Sequence, residues 1–459
     1  MALLLFGGVL SAPSGGSTSP PTIATAGSVA GAQVKVASFS TAQWIPPTFW
    51  GVNVEGLNVF GTADTAAISH TPVRYIRFPG GGLAEGLNYT SGRITLKNGS
   101  YVQAGTSIRT FVTMCKSIGC HAILQLPAEI DQPQTAAYYV QFVVNTLGYQ
   151  PAYWEIGNAP GGWTHMGVPW SRWATTTGVT PTPQNFVVLL RSYMLAIRAV
   201  DPTAKFLALG AGAGDKNYSQ TWITAVVKAE GKNLSGISIH SYILGGTVSH
   251  PTDQQLFSNL HGVYSLPDQV NAVRGFIRQA CPTCHQLQVF VTEINAAELS
   301  PYDTLLPTFA GTLYVGAEIT QGLSLHVPNM DWFCFVCTYG GAWGQSTGHW
   351  QMQYYLFADI LSHLQHKYLP ANVTGPSTFY AAATYGTGGL ALLLLNLNVS
   401  NSVNVALGSA GIVLGSSVSM YGWNGSALQP HESAFVLPQT LTLRPETLVL
   451  LVASPSELV

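Results

Sequence analysis

The chain has 459 residues, a length that suits one barrel-sized domain and a smaller partner domain. Charged residues make up only 8% of it, against about 25% in an ordinary soluble domain, while hydrophobic residues reach 47%, and this composition excludes a disordered chain. The 18 Lys and Arg residues nearly balance the 20 Asp and Glu residues and form no cluster, so we expect no nucleic-acid partner.

The first part of the chain reads as a leader and a flexible segment. Residues 1–16 combine an apolar stretch with small residues but lack a basic start, which is typical of a signal-peptide remnant. We therefore expect residues 1–29 to precede the folded part, and the protein to be secreted or extracellular. Later apolar runs, such as 186–190 and 390–398, are shorter than the roughly 20 residues of a spanning helix, so no stable membrane span is expected.

The six cysteines fall into three local pairs, and their even number suits disulfides formed in an oxidising compartment. The possible disulfides are Cys115–Cys120, Cys281–Cys284 and Cys334–Cys337. Zinc is the alternative, because two Cys-x-x-Cys pairs could supply four thiolates. Each pair lies within barrel-like sequence and not on a small knuckle, so we expect no metal and no other cofactor.

The small number of carboxylates has a consequence for stability in acid. Little net charge builds up when so few of them are protonated, and self-repulsion stays low. We therefore expect an acidophilic and thermostable protein.

Short apolar runs alternate with longer amphipathic stretches across the predicted barrel domain, residues 46–367. Eight runs predict strands, at 50–56, 73–78, 121–126, 153–158, 206–211, 236–242, 289–295 and 330–336. Helices are predicted between or after them, at 107–119, 184–200, 266–280 and 349–365. Repeated strand-then-helix units predict an α/β fold, a (β/α)8 TIM barrel, whose reactive groups lie at the carboxyl ends of the strands.

The last part of the chain has a different pattern. Residues 368–459 alternate apolar and polar residues between Gly-rich turns, which predicts an additional antiparallel β-sandwich domain. Residues 32–39 alternate in the same way. We therefore predict that the segment 30–45 contributes a strand to the sandwich.

Two of the predicted strands end in carboxylate motifs. The fourth strand runs through the sequence YWEIGNAP, residues 153–160, and the seventh ends in VTEIN, residues 291–295. Here the chain resembles glycoside hydrolase clan A, the retaining (β/α)8 glycosidases. It is most similar to members with an appended β-sandwich, the β-glucuronidase/heparanase, α-L-arabinofuranosidase and β-xylosidase relatives. In that clan the fourth strand ends in Asn-Glu, with the Glu as general acid/base, and a second Glu at the end of the seventh strand is the nucleophile.

The resemblance implies a role for five residues. Glu293 corresponds to the nucleophile, and Asn158 to the residue that contacts the sugar 2-hydroxyl. Arg77, in the run RYIRFPGG (74–81), corresponds to the arginine that holds the nucleophile, and His240 and Tyr242 resemble the pair beside it on the sixth strand.

The chain departs from the family pattern at Ala159, which stands where the acid/base glutamate is expected. A methyl group cannot donate a proton. Glu155 does not obviously replace the missing acid, because four residues along a strand place it roughly 13 Å deeper in the barrel. We favour deliberate replacement of a glutamate in an active enzyme, since the surrounding motif is intact. Natural loss of the acid is the other explanation.

Each of these residues also has a purely structural interpretation. Glu293 could be a strand-end carboxylate paired with an arginine, Arg77 a loop anchor, Asn158 a turn cap, and His240 and Tyr242 packing residues.

Other side chains are candidates for the sugar cleft. Glu55 at the end of the first strand could line it, although a loop salt bridge would explain this residue equally well. Trp163 and Trp343 follow the fourth and eighth strands and could stack on sugar rings, with core packing as the alternative.

Together these features predict a retaining glycoside hydrolase that acts on β-linked oligo- or polysaccharides with two carboxylates. The chain as written would lack its general acid/base and be largely inactive. The alternative is a carbohydrate-binding pseudoenzyme without hydrolytic activity.

Overall fold

The computed structural model describes residues 30–95, 100–129, 132–160, 182–212, 216–244, 251–296, 308–336, 351–409, 418–423, 431–435 and 440–455. The predicted leader and the side chains of Trp163, Trp343 and Cys337 lie outside these residues. Disulfides join Cys115 to Cys120 and Cys281 to Cys284. No helix within the described ranges combines the length and apolar character needed to cross a membrane.

The chain enters the fold through two strands outside the barrel, β1 (Ala30–Val36) and β2 (Gln43–Trp44). Eight parallel strands then close into a barrel, interrupted after the second of them by a small hairpin of β5 (Arg93–Thr95) and β6 (Tyr101–Gln103). The barrel strands are β3 (Trp50–Val54), β4 (Tyr75–Phe78), β7 (His121–Leu126), β8 (Tyr153–Ile156), β9 (Phe206–Gly212), β10 (Gly236–Tyr242), β11 (Gln288–Asn295) and β12 (Met330–Val336). Each matches one of the eight predicted strands.

The inside of the barrel has an apolar layer and a polar layer. Ile123, Leu207 and Phe290 form a small buried cluster with Tyr153 near the strand starts. Further along the same strands, residues in matching register are polar, and Gln125 lies opposite Glu155. Because side chains alternate along a strand, this pattern directs the polar groups to the inside of the carboxyl-terminal end.

Helices cover the outside of the barrel. They span Thr62–Ser69, Ile108–Ile118, Pro133–Gln141, Pro183–Val200, Lys216–Glu230, Asp253–Asn259, Leu266–Ala280, Phe309–Leu325 and Met352–Tyr355. Local signals set their ends: Ser107 caps Ile108–Ile118 by accepting from Thr110 N–H, and Gly119 ends that helix at φ 65°. The prediction of one continuous helix over 349–365 is wrong. This segment contains a short α-helix followed by a π-helical turn, Leu356–Ile360, and a 3-10 turn, Leu361–His363.

The remaining nine strands, together with β1 and β2, form two sheets of four and seven strands, packed face to face. They are β13 (Lys367–Leu369), β14 (Ala371–Thr374), β15 (Phe379–Gly386), β16 (Gly389–Asn396), β17 (Val403–Ser409), β18 (Val418–Trp423), β19 (His431–Phe435), β20 (Thr440–Leu443) and β21 (Thr447–Ala453). The smaller sheet has the order β14-β1-β17-β20, and the larger the order β19-β18-β21-β16-β15-β13-β2. The predicted barrel with an additional sandwich is confirmed, with one difference: β1 pairs with β17 in parallel.

The larger sheet is buried on both faces. One face packs against the smaller sheet and the other against the helix Phe309–Leu325, whose residues 310–323 are all buried. Gly316 permits this close contact, because a Cβ there would lie 2.6 Å from Leu395 Cδ2. Most of the apolar run 390–398 therefore lies in β16, a strand buried from both sides.

Candidate active site

Arg77 on β4 is the centre of a buried polar cluster at the carboxyl-terminal end of the barrel. Its Nε lies 2.5 Å from Oε2 of Glu155, and its Nη1 lies 2.7 Å from Oε1 of Glu293 and 3.1 Å from Oδ1 of Asn53. Its Nη2 donates to Oδ1 of Asn158 at 2.8 Å. One guanidinium therefore connects strands β3, β8 and β11 and the turn after β8.

Burial alone would lower the pKa of Arg77, but the carboxylates of Glu155 and Glu293 more than compensate and raise it above its ordinary value. The arginine therefore remains charged. A buried charge of this kind needs fixed partners. The acceptor oxygens on β3, β8 and β11 that bind Arg77 provide them.

Both carboxylate oxygens of Glu293 are held. Oε1 accepts from Arg77, and Oε2 accepts from the Tyr242 hydroxyl at 2.7 Å and lies 3.3 Å from Nδ1 of His240. The register between β10 and β11 places His240 beside Glu293. Since Glu293 is 5% exposed, only a small part of it is open to solvent. The arrangement fixes the orientation of one carboxylate at the mouth of the barrel.

His240 is an uncharged member of the cluster. Burial, together with the positive charge of Arg77, lowers the pKa of His240 to about 3. The imidazole is therefore neutral above this pH, and its Nε2 is buried without a hydrogen-bond partner among the described residues. A neutral ring beside Glu293 can orient the carboxylate without adding a second cation.

Ala159 is held through its backbone. It adopts a left-handed conformation with φ 49°, and its N–H donates to the carbonyls of Leu209 at 3.1 Å and Gly210 at 3.0 Å. These two residues form a bulge in β9, where the register with β10 shifts. Ser238 closes the bulge, because its hydroxyl accepts from Gly210 N–H at 2.9 Å and donates to the Ala208 carbonyl at 3.1 Å.

The structure thus brings together most of the residues implied by the sequence. Arg77, Glu293, His240, Tyr242 and Asn158 form one hydrogen-bonded and ionic cluster, and Ala159 is the residue after Asn158. Asn158 and Glu293 are therefore linked through the two terminal nitrogens of one arginine.

Glu55, which follows β3, contacts a neighbour in its own loop. It is 3% exposed, and its Oε2 lies 3.4 Å from Nδ2 of Asn58, three residues further along the chain. A neighbouring carboxyl, Glu85, is fully buried, which raises its pKa to about 7 although the N–H groups of Ala128 and Glu129 donate to it. Buried acidic side chains thus follow each of the first two barrel strands.

Three contributors to the site were missed by the sequence reasoning: Asn53, Ser238 and the pairing of Glu155 with Arg77. Asn53 donates to the carbonyls of Thr292 at 2.9 Å and Asp331 at 3.1 Å, and so fixes β3 against β11 and β12. A polar residue inside the apolar run WGVNV is a signal that could have revealed it. No comparable signal marks Ser238.

The aromatic residues divide into two groups. Trp332 is buried between the rings of Tyr314 and Phe357 and has a packing role. Trp163 and Trp343, the two candidates for sugar stacking, lie outside the described residues. Within the described ranges, no group of three or more His, Cys, Asp or Glu side chains is arranged to hold a metal ion.

Comparison with known proteins identifies solved structures of similar fold. No protein-family model and no curated protein sequence matches the chain. Among solved structures, a GH51 arabinofuranosidase from Xanthomonas axonopodis pv. citri superposes with a TM-score of 0.75 at 14% identity, covering 93% of this chain and 100% of that one. The α-L-arabinofuranosidase of Thermotoga maritima gives 0.72 at 15% identity, covering 93% and 100%.

A family 44 xyloglucanase from Paenibacillus polymyxa is similar as well, with a TM-score of 0.70 at 13% identity, covering 92% of this chain and 99% of that one. At such identities the likeness concerns the fold. The resemblance to the clan A barrel with its appended sandwich is confirmed at that level.

Proposed function

We propose that the chain is a retaining glycoside hydrolase acting on β-linked glycans, with Glu293 as nucleophile and Ala159 in the place of the general acid/base. The observation that carries the proposal is the double fixation of Glu293, by Arg77 at Oε1 and by Tyr242 at Oε2, beside the turn that contains Asn158 and Ala159. A nucleophilic carboxylate must be ionised and aimed, and a cation and a hydroxyl donor promote both.

In the first step, a carboxylate oxygen of Glu293 forms a bond to the anomeric carbon as the glycosidic C–O bond breaks. The departing oxygen needs a proton, which a glutamate at position 159 would donate from a carboxyl group about 5–5.5 Å from that of Glu293. In the second step, water attacks the anomeric carbon and the ester bond to Glu293 breaks. The glutamate at position 159 would take the proton of the water. Loss of such a group costs about 10²–10⁴-fold in rate.

The substrate we propose is a neutral glycan. Only 18 Lys and Arg residues occur in the whole chain, which disfavours a site built around a uronic acid. The structurally similar proteins are named arabinofuranosidases and a xyloglucanase, which supports the same choice.

The central experiment restores the missing group. Ala159→Glu is expected to raise hydrolysis of aryl β-glucosides and β-xylosides by about 10²–10⁴-fold over the parent chain. Ala159→Gln is the matched control, because it has the same size but cannot donate a proton. An aryl α-L-arabinofuranoside and an aryl β-glucuronide complete the substrate panel.

A second experiment uses the chain as it is. With an activated aryl glycoside the leaving group departs without a proton, and azide can attack the glycosyl-enzyme without a base. We expect a β-glycosyl azide as product, and none from Glu293→Gln. Absence of this product from the parent chain would contradict the role of Glu293.

The methyl group at position 159 also supports a second candidate, a carbohydrate-binding pseudoenzyme. In that case Ala159→Glu yields no hydrolysis on any substrate of the panel, while binding of oligosaccharides persists. The two candidates therefore differ in whether Ala159→Glu hydrolyses any substrate of the panel.

We further propose that the protein works outside the cell, in an acidic medium. The disulfides Cys115–Cys120 and Cys281–Cys284 suit an oxidising compartment. Burial raises the pKa of Glu85 to about 7 and that of Glu318 to about 8, so these carboxyls are neutral in acid and add no charge to the interior. Thermal denaturation between pH 3 and 8 tests this proposal, which requires the highest melting temperature below pH 6.

A further inference from the structure

A cavity of about 370 Å³ lies at the end of the barrel opposite Glu293. It is bordered by the segment that leads into β3, by the first residues of β8 and β11, and by the loop that follows the helix Phe309–Leu325. Its volume is within the range of about 300–1,000 Å³ found for small-molecule sites. The cavity is separate from the candidate active site, because it opens at the amino-terminal ends of the strands.

The wall of the cavity contains an aromatic ring that the fold does not bury. Trp44 is 60% exposed, although tryptophan is usually among the most buried side chains. Its ring contacts His366 with 5.2 Å between centroids, and most of its surface faces solvent. Trp44 lies on the edge strand β2, whose backbone is held by pairing with β13.

Polar side chains line the same cavity. The side-chain amides of Gln43 and Gln288 are exposed and make no hydrogen bond to another described residue, and half-buried Tyr153 also borders the cavity. An amide offers both donors and an acceptor, which suits the paired hydroxyls of a sugar. The cavity therefore combines an open aromatic face with several free hydrogen-bonding groups.

The lining carries no formal charge. None of the described residues that line the cavity is Asp, Glu, Lys or Arg. His326 is the one imidazole among them, and partial burial, together with the positive charge of Arg274, lowers its pKa. Such an uncharged lining suits a neutral polyhydroxylated ligand.

We propose that this cavity is a second glycan-binding site, in which a neutral sugar ring of an oligosaccharide stacks on Trp44 and hydrogen-bonds to Gln43 and Gln288. The choice of a sugar over another neutral ligand rests on the proposed function. A chain bound at this end would hold the protein on a polysaccharide while the opposite end of the barrel remains free.

The test is a calorimetric titration of the full chain with cellohexaose and with xylohexaose. We expect two binding sites for one of these sugars, and a single site in Trp44→Ala and in Gln288→Ala. Trp44→Phe, which keeps an aromatic face, should bind at the second site with less than about tenfold loss. Tyr138→Ala is the matched control, because Tyr138 is 55% exposed on the outer helix Pro133–Gln141 and does not line this cavity.

Three outcomes would overturn the inference. The parent chain could show one site only, Trp44→Ala could bind like the parent, or Trp44→Ala could convert a dimer to a monomer in light scattering without changing sugar binding. The last result would identify the cavity as a contact between copies of the chain.

Failure of the proposed function is measured separately. Hydrolysis of aryl glycosides by Ala159→Glu depends on the opposite end of the barrel and should be unchanged when Trp44→Ala is added. Lack of hydrolysis with two intact binding sites would refute the hydrolase and leave the second site standing.

Discussion

Glu155 and Glu293 bind the same guanidinium: Oε2 of Glu155 lies 2.5 Å from Nε of Arg77, and Oε1 of Glu293 lies 2.7 Å from Nη1. The second oxygen of each carboxylate accepts from a hydroxyl, that of Thr292 at 3.1 Å for Glu155 and that of Tyr242 at 2.7 Å for Glu293. The candidate nucleophile is therefore positioned by an arginine that a second, deeper carboxylate keeps in place.

Replacing that deeper carboxylate should weaken the fold. In Glu155→Gln, Arg77 loses one of its two ionic partners in a buried site, and we expect a loss of about 1–3 kcal/mol in the free energy of unfolding. Urea denaturation measures it. Thr292→Val is the control, since it removes only the hydroxyl that donates to Glu155 and should cost about 1 kcal/mol. Equal stability of Glu155→Gln and the parent would contradict the importance of the shared arginine.

Removing the hydroxyl beside Glu293 should affect catalysis more than stability. Tyr242→Phe, made in the Ala159→Glu background, deletes a hydrogen bond to a carboxylate, which is worth about 1.5–3 kcal/mol. We therefore expect kcat/KM for an aryl glycoside to fall by about 10–100-fold. The melting temperature of the same variant shows whether the folded state survives. An unchanged kcat/KM would mean that the Tyr242 hydroxyl is not needed to orient the nucleophile.

Two glycines should respond in opposite directions to substitution by alanine. A Cβ at Gly51 would lie 1.7 Å from Oδ1 of Asp331, which is fully buried inside the barrel, so Gly51→Ala should destabilise by about 1–3 kcal/mol or more. Gly275 lies within the helix Leu266–Ala280, and a Cβ added there would meet no atom within 4 Å, so Gly275→Ala should stabilise by about 0.5–1 kcal/mol. Thermal denaturation compares both variants with the parent.

The pH dependence of stability should involve Glu318, between the barrel and the larger sheet. Burial raises its pKa from 4.5 to about 8. Between these values the folded state holds a proton that the unfolded chain releases, so the contribution of Glu318 to stability is complete below pH 4.5 and is lost as the pH rises to about 8.

Glu318→Gln cannot ionise and should therefore melt at a higher temperature than the parent at pH 8, with a smaller difference at pH 5. Part of the pH dependence should persist in the variant, because the pKa of Glu85 is also raised, to about 7. Parallel melting curves of variant and parent at every pH would show that Glu318 does not titrate in this range.

Much of the barrel follows from local patterns. Strands buried on both faces need short, continuous apolar runs, and such runs mark all eight barrel strands, including YWEI and VFVTEIN. The positions of Arg77 and Glu293 near strand ends then determine that they meet, because a closed parallel barrel brings these ends together.

The remaining features depend on contacts between distant segments. The strand geometry of β8 predicts that Glu155 lies far from position 159. The long side chain of Arg77 nevertheless contacts both Glu155 and Asn158. The bulge at Leu209 and Gly210 and its closure by Ser238 have no local sequence pattern. The break in the helix predicted over 349–365 likewise has no Pro or Gly that would announce it.

The parallel pairing of β1 with β17 imposes an order of assembly on the nascent polypeptide. Ala30 pairs with Val403, and all eight barrel strands are synthesised between the two. The barrel can close on the ribosome, whereas β1 must wait for its neighbour until almost the whole chain has emerged. Any product of premature termination before β17 would therefore carry an unpaired strand edge, which is a template for aggregation.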